Sequence, residues 1–254
     1  MTQVTEEHKS YKHIVSLGSF CSPALELERF GYRDISYPFD WLITRSFPAV
    51  ITLIENHFEG WLSYEDLYQR TKERNVYEDP GRSIAYVHDF NKYIPLKDQI
   101  GGVQAKYNRR IERFYEYIQE PTLFIRYIHP TETMDYVVNN YSQILACLRK
   151  YNTENDIVFF ANKETIGNAT YDSRIVIYPL DPDEGDVVAR RFFEQADEFT
   201  KMLEGGYSSE ERRKNLDVFY KKEQAKKDSK FAKKTRTLID KIVKREYIHI
   251  QVIE

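Results

Sequence analysis

The sequence predicts an α/β protein built on a mainly parallel sheet flanked by helices, a Rossmann-like three-layer arrangement, with a helical basic C-terminal region. Two observations predict this fold class. Apolar strand-like runs alternate along the chain with amphipathic stretches of helical period, which is typical of a parallel sheet with crossover helices. The apolar runs are also nearly continuous in β-branched and aromatic residues, as expected for strands that are buried on both faces. The 254 residues suffice for one large domain that needs neither a disulfide nor a metal for stability.

Each element follows from a local pattern. Five apolar runs predict strands, in chain order HIVSLG, SIAYVHDF, TLFIRYI, DIVFFA and RIVIYPL. Apolar residues at three- and four-residue spacing predict helices over SPALELERF, FPAVITLIENHF, GGVQAKYNRRIERFYEYIQ and TMDYVVNNYSQILACLRKY. The acidic stretch from Asp181 to Asp186 indicates a loop. We therefore expect an α/β core domain over residues 1–180 and a helical Lys-rich region over residues 181–254, packed on the same domain, with YIHIQVI as a last edge strand.

Composition excludes several classes of protein. Hydrophobic residues make up 41% of the chain and charged residues 30%, which is the profile of a packed protein rather than a disordered chain. The N-terminal segment is polar and no run reaches the length of a membrane span, so we expect a cytoplasmic protein without a transmembrane segment. The two cysteines, Cys21 and Cys147, are too few for a disulfide framework or a zinc site built on cysteine pairs. We expect neither a metal nor a cofactor.

Positive charge is concentrated near the C-terminal end. Residues 212–245 contain 14 Lys and Arg against 4 Asp and Glu, although the whole chain carries a net charge of −3. Such a run can bind an anionic partner. Apolar residues recur among the lysines at helical spacing, however, so helices with one buried stripe and one solvated face are the alternative. We expect a small-molecule, peptide or glycan substrate for the protein rather than a nucleic acid.

Cys21 is the first candidate for chemistry, because it stands between the first predicted strand and the first predicted helix. Loops at the carboxyl ends of strands in α/β sheets form the crevice in which ligands bind. Ser22 suits the N-cap and Pro23 the first helical position, so the helix N-terminus should lower the pKa of the thiol and supply N–H groups for an oxyanion. Gly18, Ser19 and Ser22 are candidate substrate contacts. The alternative is that Cys21 only fills space at a tight turn.

A nucleophilic thiol needs a base, and two histidines close predicted strands. His88 ends SIAYVHDF and is followed by Asp89, while His129 follows TLFIRYI. Because the carboxyl ends of parallel strands meet at one edge of a sheet, both imidazoles should open onto the same crevice as Cys21. Either could take the proton of the thiol. We name His88 as the candidate base and His129 as a candidate substrate contact.

Two charged residues lie in apolar surroundings and therefore need partners. Asp40, in YPFDWL, either orients a catalytic imidazole or caps a helix, and its neighbour Trp41 is a candidate substrate contact. Asp89 is the second candidate for the acid that orients the imidazole. Arg126 lies within a predicted strand and requires either an anionic ligand, which would make it a substrate-binding residue, or an ion pair with a nearby carboxylate.

The motifs SLGSFCSPALELERFG, ISYPFDWLIT and HDF resemble a bacterial domain of unknown function that is labelled a putative papain-like cysteine peptidase. The resemblance covers roughly the first two thirds of the chain and depends mainly on the Gly-x-x-Cys turn and the Pro-Phe-Asp-Trp motif. It implies a Cys nucleophile, a His base and an orienting acid, which correspond to Cys21, His88 and either Asp40 or Asp89. The sequence departs from papain because no Gln precedes Cys21 in the turn and because the predicted strands and helices alternate. The resemblance implies the nucleophile and leaves the substrate open.

Three functions are compatible with these features. The first is a cysteine hydrolase or acyl transferase, in which Cys21 attacks an acyl or amide carbon and His88 is the base. The second is a transferase of surface glycan synthesis, in which the turn at Cys21 binds a phosphate or sugar phosphate and Arg126 balances its charge. The third is a non-catalytic module whose Lys226, Lys227, Lys233 and Lys234 bind an anionic partner.

Overall fold

The computed structural model describes residues 10–33, 35–71, 75–184, 186, 188–206, 210 and 212–230. The strands are β1 (His13–Ser16), β2 (Leu42–Thr44), β3 (Tyr68–Gln69), β4 (Tyr77–Asp79), β5 (Ile84–Tyr86), β6 (Thr122–Tyr127), β7 (Asp156–Asn162) and β8 (Ile177–Leu180). The helices are α1 (Ser22–Arg29), α2 (Phe47–Glu55), α3 (Leu96–Tyr117), α4 (Asp135–Arg149), α5 (Lys163–Ile166) and α6 (Asp197–Gly206). A short 3-10 helix spans Phe192–Gln195.

A parallel four-stranded sheet of order β1-β6-β7-β8 forms the centre of the fold. Successive side chains of a strand point to opposite faces. On one face Phe124 and Phe159 pack with residues of α2, α3 and α4, and on the other Leu123 and Ile125 pack with residues of α1 and α6. The prediction of an α/β protein with a parallel sheet flanked by helices is therefore confirmed, whereas the finer Rossmann-like assignment stays a prediction.

A separate antiparallel sheet of order β2-β5-β4-β3 corrects the expectation of one mainly parallel sheet. The predicted strand SIAYVHDF contributes β5, which pairs with β2 and β4 in antiparallel register. A tight connection joins β4 to β5, where Ser83 N–H donates to Pro80 C=O at 3.3 Å. Strands that close a hairpin are antiparallel, so the Asp-Pro-Gly-Arg segment places this strand outside the parallel sheet.

The C-terminal region contacts the core near the end of α1. Arg212 Nε donates to Phe30 C=O at 3.0 Å, and Asn215 Nδ2 donates to Gly31 C=O at 3.1 Å. Residues 212–230 are helical. The predicted strand YIHIQVI and the lysines Lys233 and Lys234 lie outside the described residues, so the division at residue 180 and the basic helical region stay predictions. Within the described part of the chain, the helices are too short or too polar to cross a membrane. The cytoplasmic location also stays a prediction.

Candidate active site

The loop after β1 makes a glycine turn that is bonded to the end of β6. Tyr127 N–H donates to Gly18 C=O at 2.8 Å, and Ser19 N–H donates to Tyr127 C=O at 3.1 Å. Gly18 has φ +89°, and a Cβ on it would lie 2.6 Å from Thr44 Oγ1 and 2.9 Å from Arg126 Nη1. The position therefore requires glycine for its conformation and for space. The turn directs the chain from the parallel sheet into α1.

Cys21 is the N-cap residue of α1, where its C=O accepts the N–H of Leu25 at 3.0 Å. Ser22, predicted as the N-cap, is instead the first helical residue. The Cys21 side chain is half-buried, and no hydrogen bond joins its thiol to an imidazole of a described residue. Burial raises the pKa of the Cys21 thiol, and the N–H of the same residue opposes that rise. The free protein therefore holds a protonated thiol at neutral pH, and a base must remove its proton before attack.

His129 lies beside this turn, because the chain leaves β6 next to the end of β1. Its ring stacks on Phe20 with centroids 4.8 Å apart, and its side chain is buried. Nδ1 accepts the N–H of Thr131 at 3.1 Å and lies 2.7 Å from Thr131 Oγ1. Because a backbone N–H can only donate, the proton of the neutral ring is on Nε2. Burial lowers the pKa of His129 to about 4, so the ring is a neutral Nε2–H donor at pH 7.

A buried ion pair stabilises both the turn after β1 and the loop after β6. Arg126 is fully buried and its Nη2 lies 2.7 Å from Glu132 Oε2, which is the ion pair anticipated as the alternative to substrate binding. Arg126 Nη1 donates to Leu17 C=O at 2.8 Å and to Thr44 Oγ1 at 2.6 Å. Glu132 also accepts the N–H of His129 at 2.8 Å. The guanidinium therefore holds the turn in place, and neither it nor the fully buried Ser19 presents a surface to a substrate in this structure.

His88 follows β5 in the antiparallel sheet, so the shared edge of a parallel sheet does not bring it to Cys21. Its imidazole is exposed and lies edge-on to Trp41, with ring centroids 6.3 Å apart. The next residue, Asp89, binds Lys106 Nζ and accepts the hydroxyl of Tyr107 at 2.9 Å. The carboxylate of Asp89 is thus used by α3 and does not orient the ring of His88.

Asp40 is fully buried and has other partners than the two that the sequence suggested. Its Oδ2 lies 2.8 Å from Arg33 Nη1 and accepts the N–H of Tyr37 at 2.9 Å. Burial raises the pKa of Asp40, and the charges of Arg33 and Arg110 oppose that rise. Asp40 therefore closes the turn that carries Trp41, and it neither contacts an imidazole nor caps a helix.

The family comparison agrees with the motifs around this turn. A family model described as a putative papain-like cysteine peptidase matches residues 12–165, which include β1, the turn, both candidate histidines and β7. The chain belongs to this family. The family is defined as a domain of unknown function. Its description names a class of reaction but assigns no catalytic residues.

The chain is also similar to a curated protein. An uncharacterized protein of Acanthamoeba polyphaga mimivirus is 28% identical over 127 residues, which cover 40% of this chain and 54% of the relative. The chain thus spans about half the length of that relative. No solved structure matches the chain significantly. The bacterial origin implied by the sequence motifs stays a prediction.

Several residues of the family region were not identified from the sequence. Glu132 and Thr131 follow His129 within three positions, and a carboxylate so close to a strand-ending histidine was a signal that could have been read. Phe20 gave no such signal, because its partner His129 is distant in sequence. Arg33 lies only seven residues before Asp40, so this pair of opposite charges was also a signal in the sequence. Within the described residues no three His, Cys, Asp or Glu side chains are grouped as a metal site would require.

Proposed function

We propose that this chain is a cysteine-dependent hydrolase or acyl transferase in which Cys21 is the nucleophile. The observation that carries the proposal is the position of Cys21, half-buried at the first turn of α1 and at the carboxyl end of β1. The N–H groups of a first helical turn have no partner within the helix, so they are available to an oxyanion. The family description names the same class of nucleophile.

The reaction needs a base because the thiol is protonated. We propose His88 for that role because its imidazole is exposed, and the proposal includes an approach to Cys21 that the strand order does not provide. Nδ1 of His129 accepts a hydrogen bond from Thr131 and its Nε2 carries a proton. His88 takes the thiol proton, and the thiolate forms a C–S bond to the carbonyl carbon as the bond to the leaving group breaks. Protonated His88 then gives its proton to the leaving group. Water or another acceptor releases the acyl group from the thioester.

His129 has a different role in this proposal. A neutral imidazole with its proton on Nε2 donates a hydrogen bond, so we assign His129 the binding of a substrate oxygen rather than the role of the base. Asp40 and Asp89, the two acids implied by the family resemblance, are left out of the mechanism because each is paired with a cation.

Fewer observations support the two alternative functions. The phosphate-binding transferase requires Arg126 as a free counter-charge, and Arg126 is paired with Glu132. The anion-binding module requires the basic helix, of which Lys233 and Lys234 lie outside the described residues. We therefore retain the cysteine-dependent reaction.

The test uses an activated acyl ester, p-nitrophenyl acetate. We expect a burst of p-nitrophenol with one acetyl group on Cys21, detected by mass spectrometry of peptides. Cys21→Ser should abolish the burst and Cys147→Ser should retain it, because Cys147 is buried and burial raises the pKa of its thiol to about 11. His88→Ala should slow acylation by about 10²-fold or more, which is the usual contribution of a general base.

The matched control is His57→Asn, since His57 is also an exposed imidazole but lies on the loop after α2. It should leave the burst unchanged. Acetylation on Cys147 in preference to Cys21, or a burst that survives Cys21→Ser, would exclude Cys21 as the nucleophile.

A further inference from the structure

A series of aromatic, cation–π and ionic contacts connects His88 with the middle of α3. His88 contacts Trp41, and the guanidinium of Arg33 lies over the ring of Trp41 at 5.3 Å. On the other side Arg110 lies over the ring of Tyr107 at 5.0 Å. We call this group of residues the circuit: His88, Trp41, Arg33, Asp40, Arg110, Tyr107 and Asp89. Within it, Arg110 acts on Asp40 through its charge and forms no hydrogen bond with it.

The charges in this circuit do not balance. Lys106, Arg110 and Arg113 stand four and three residues apart, so they share one face of α3. Lys106 is paired with Asp89, and across the circuit Arg33 is paired with Asp40. Arg110 and Arg113 form no ion pair with a carboxylate of a described residue, although the charge of Arg110 acts on Asp40, whose buried Oδ1 has no hydrogen-bond partner.

Two other acids, Glu28 and Glu112, do not change this balance. Glu28 lies 3.4 Å from Arg33, but its second oxygen is paired with Lys222 at 3.0 Å. Glu112 on α3 is exposed and forms no ion pair with a described residue.

Of the two arginines, Arg110 has fewer partners. It makes no hydrogen bond or ion pair with any described residue, and its Nη1 is sealed from water without a partner. Arg113 donates through Nη2 to Ser36 C=O at 3.1 Å, while its buried Nε has no partner. A buried donor without an acceptor is costly, so these atoms indicate a missing acceptor. A guanidinium stacked on an aromatic ring still presents its N–H edge, which matches the oxygens of a carboxylate or phosphate.

We propose that Arg110 and Arg113 bind an anionic group of the substrate, a carboxylate or a phosphate, next to His88. This inference rests on the proposed function, because it places the anion beside the base that serves Cys21. The circuit then selects an acidic substrate.

The test is a titration of the full-length protein with inorganic phosphate and, separately, with acetate at constant ionic strength. Fluorescence of Trp41 reports binding, with Trp61→Phe as the background because Trp61 lies in the core. We expect saturable binding of at least one anion, and the anion that binds more tightly identifies the source as phosphate or carboxylate. Arg110→Gln and Arg113→Gln should each weaken that binding at least tenfold.

The matched control is Arg109→Gln, which removes the same charge from the adjacent, exposed residue of α3 and should leave binding unchanged. Arg110→Lys retains a charge and should bind more tightly than Arg110→Gln, which keeps the test valid if the glutamine variant folds poorly. Absence of saturable binding, or equal weakening by Arg109→Gln, would overturn the proposal.

Failure of this inference can be told apart from failure of the proposed function. Anion binding in Cys21→Ser should equal that of the wild type, because the thiol is not part of the anion site. Anion binding without acylation of Cys21 would reject the nucleophile and keep the site. Acylation without anion binding would reject the site and keep the nucleophile.

Discussion

At the turn after β1, a side chain on residue 18 has no room. Its Cβ would lie 2.6 Å from Thr44 Oγ1 and 2.9 Å from Arg126 Nη1, and φ is +89°. Gly18→Ala should lower the free energy of unfolding by about 1–3 kcal/mol, because backbone strain and displacement of a buried cation add. Urea unfolding at equilibrium measures the loss.

The chain contains its own control for this substitution. Gly101 lies inside α3, and a Cβ there would meet nothing within 4 Å. Gly101→Ala should raise stability by about 0.5–1 kcal/mol, since alanine favours the helix. Equal effects of the two substitutions would show that the turn at Gly18 is not as crowded as the structure has it.

At the scale of elements, Glu132 connects the end of β6 with the start of α2. Its carboxylate pairs with Arg126 of β6, accepts the N–H of His129 and accepts the N–H of Phe47 at the start of α2. Glu132→Ala should therefore cost about 3–5 kcal/mol, because it leaves the guanidinium of Arg126 buried without a counter-charge. Chemical unfolding monitored by circular dichroism measures this change.

The control for this element is an exposed carboxylate whose partners are side chains near the surface. Glu120 is half exposed and pairs with His13 at 2.9 Å. Glu120→Ala should cost at most about 1 kcal/mol, as exposed ion pairs do. Adding Arg126→Met to Glu132→Ala should restore part of the loss, and a double variant less stable than Glu132→Ala would contradict the charge argument.

The elements also show how far a pattern predicts a fold. The helices α1 to α4 and the strands β1, β6, β7 and β8 could be predicted because period and burial determine them locally. The pairing of the strands could not be predicted, because β5 has the same apolar composition as a parallel strand. The Asp-Pro-Gly-Arg connection carries the information that β5 closes a hairpin.

The candidate site shows the same limit. Cys21 and its turn could be predicted, because strand, glycine and helix start are adjacent in sequence. The partner of Asp89 could not be predicted, because Lys106 lies on α3, 17 residues further along the chain. The partners of Asp40 and Arg126 are only 7 and 6 residues away, but the bends of the connecting loops, which the sequence pattern does not give, bring each cation to its carboxylate. The expectation that His88 opens onto the same crevice as Cys21 required β5 to belong to the parallel sheet. It lost its basis because β5 is antiparallel.

For the whole molecule, burial of neutral His129 makes stability depend on pH. Burial lowers its pKa from 6.5 to about 4, so the folded protein keeps this ring neutral at pH values at which the unfolded chain protonates it. The contribution of His129 is complete above pH 6.5 and is lost as the pH falls towards 4, because protons then favour the unfolded state. The total loss corresponds to about 3 kcal/mol.

His129→Asn isolates this contribution, since the asparagine oxygen can still accept the N–H of Thr131 while the side chain no longer titrates. The free energy of unfolding, measured by urea at pH 7, 6, 5 and 4, should fall about 3 kcal/mol further in the wild type than in the variant. His57→Asn, at an exposed ring, should follow the wild type. Parallel curves for the wild type and His129→Asn would mean that burial of His129 does not cause the pH dependence of stability.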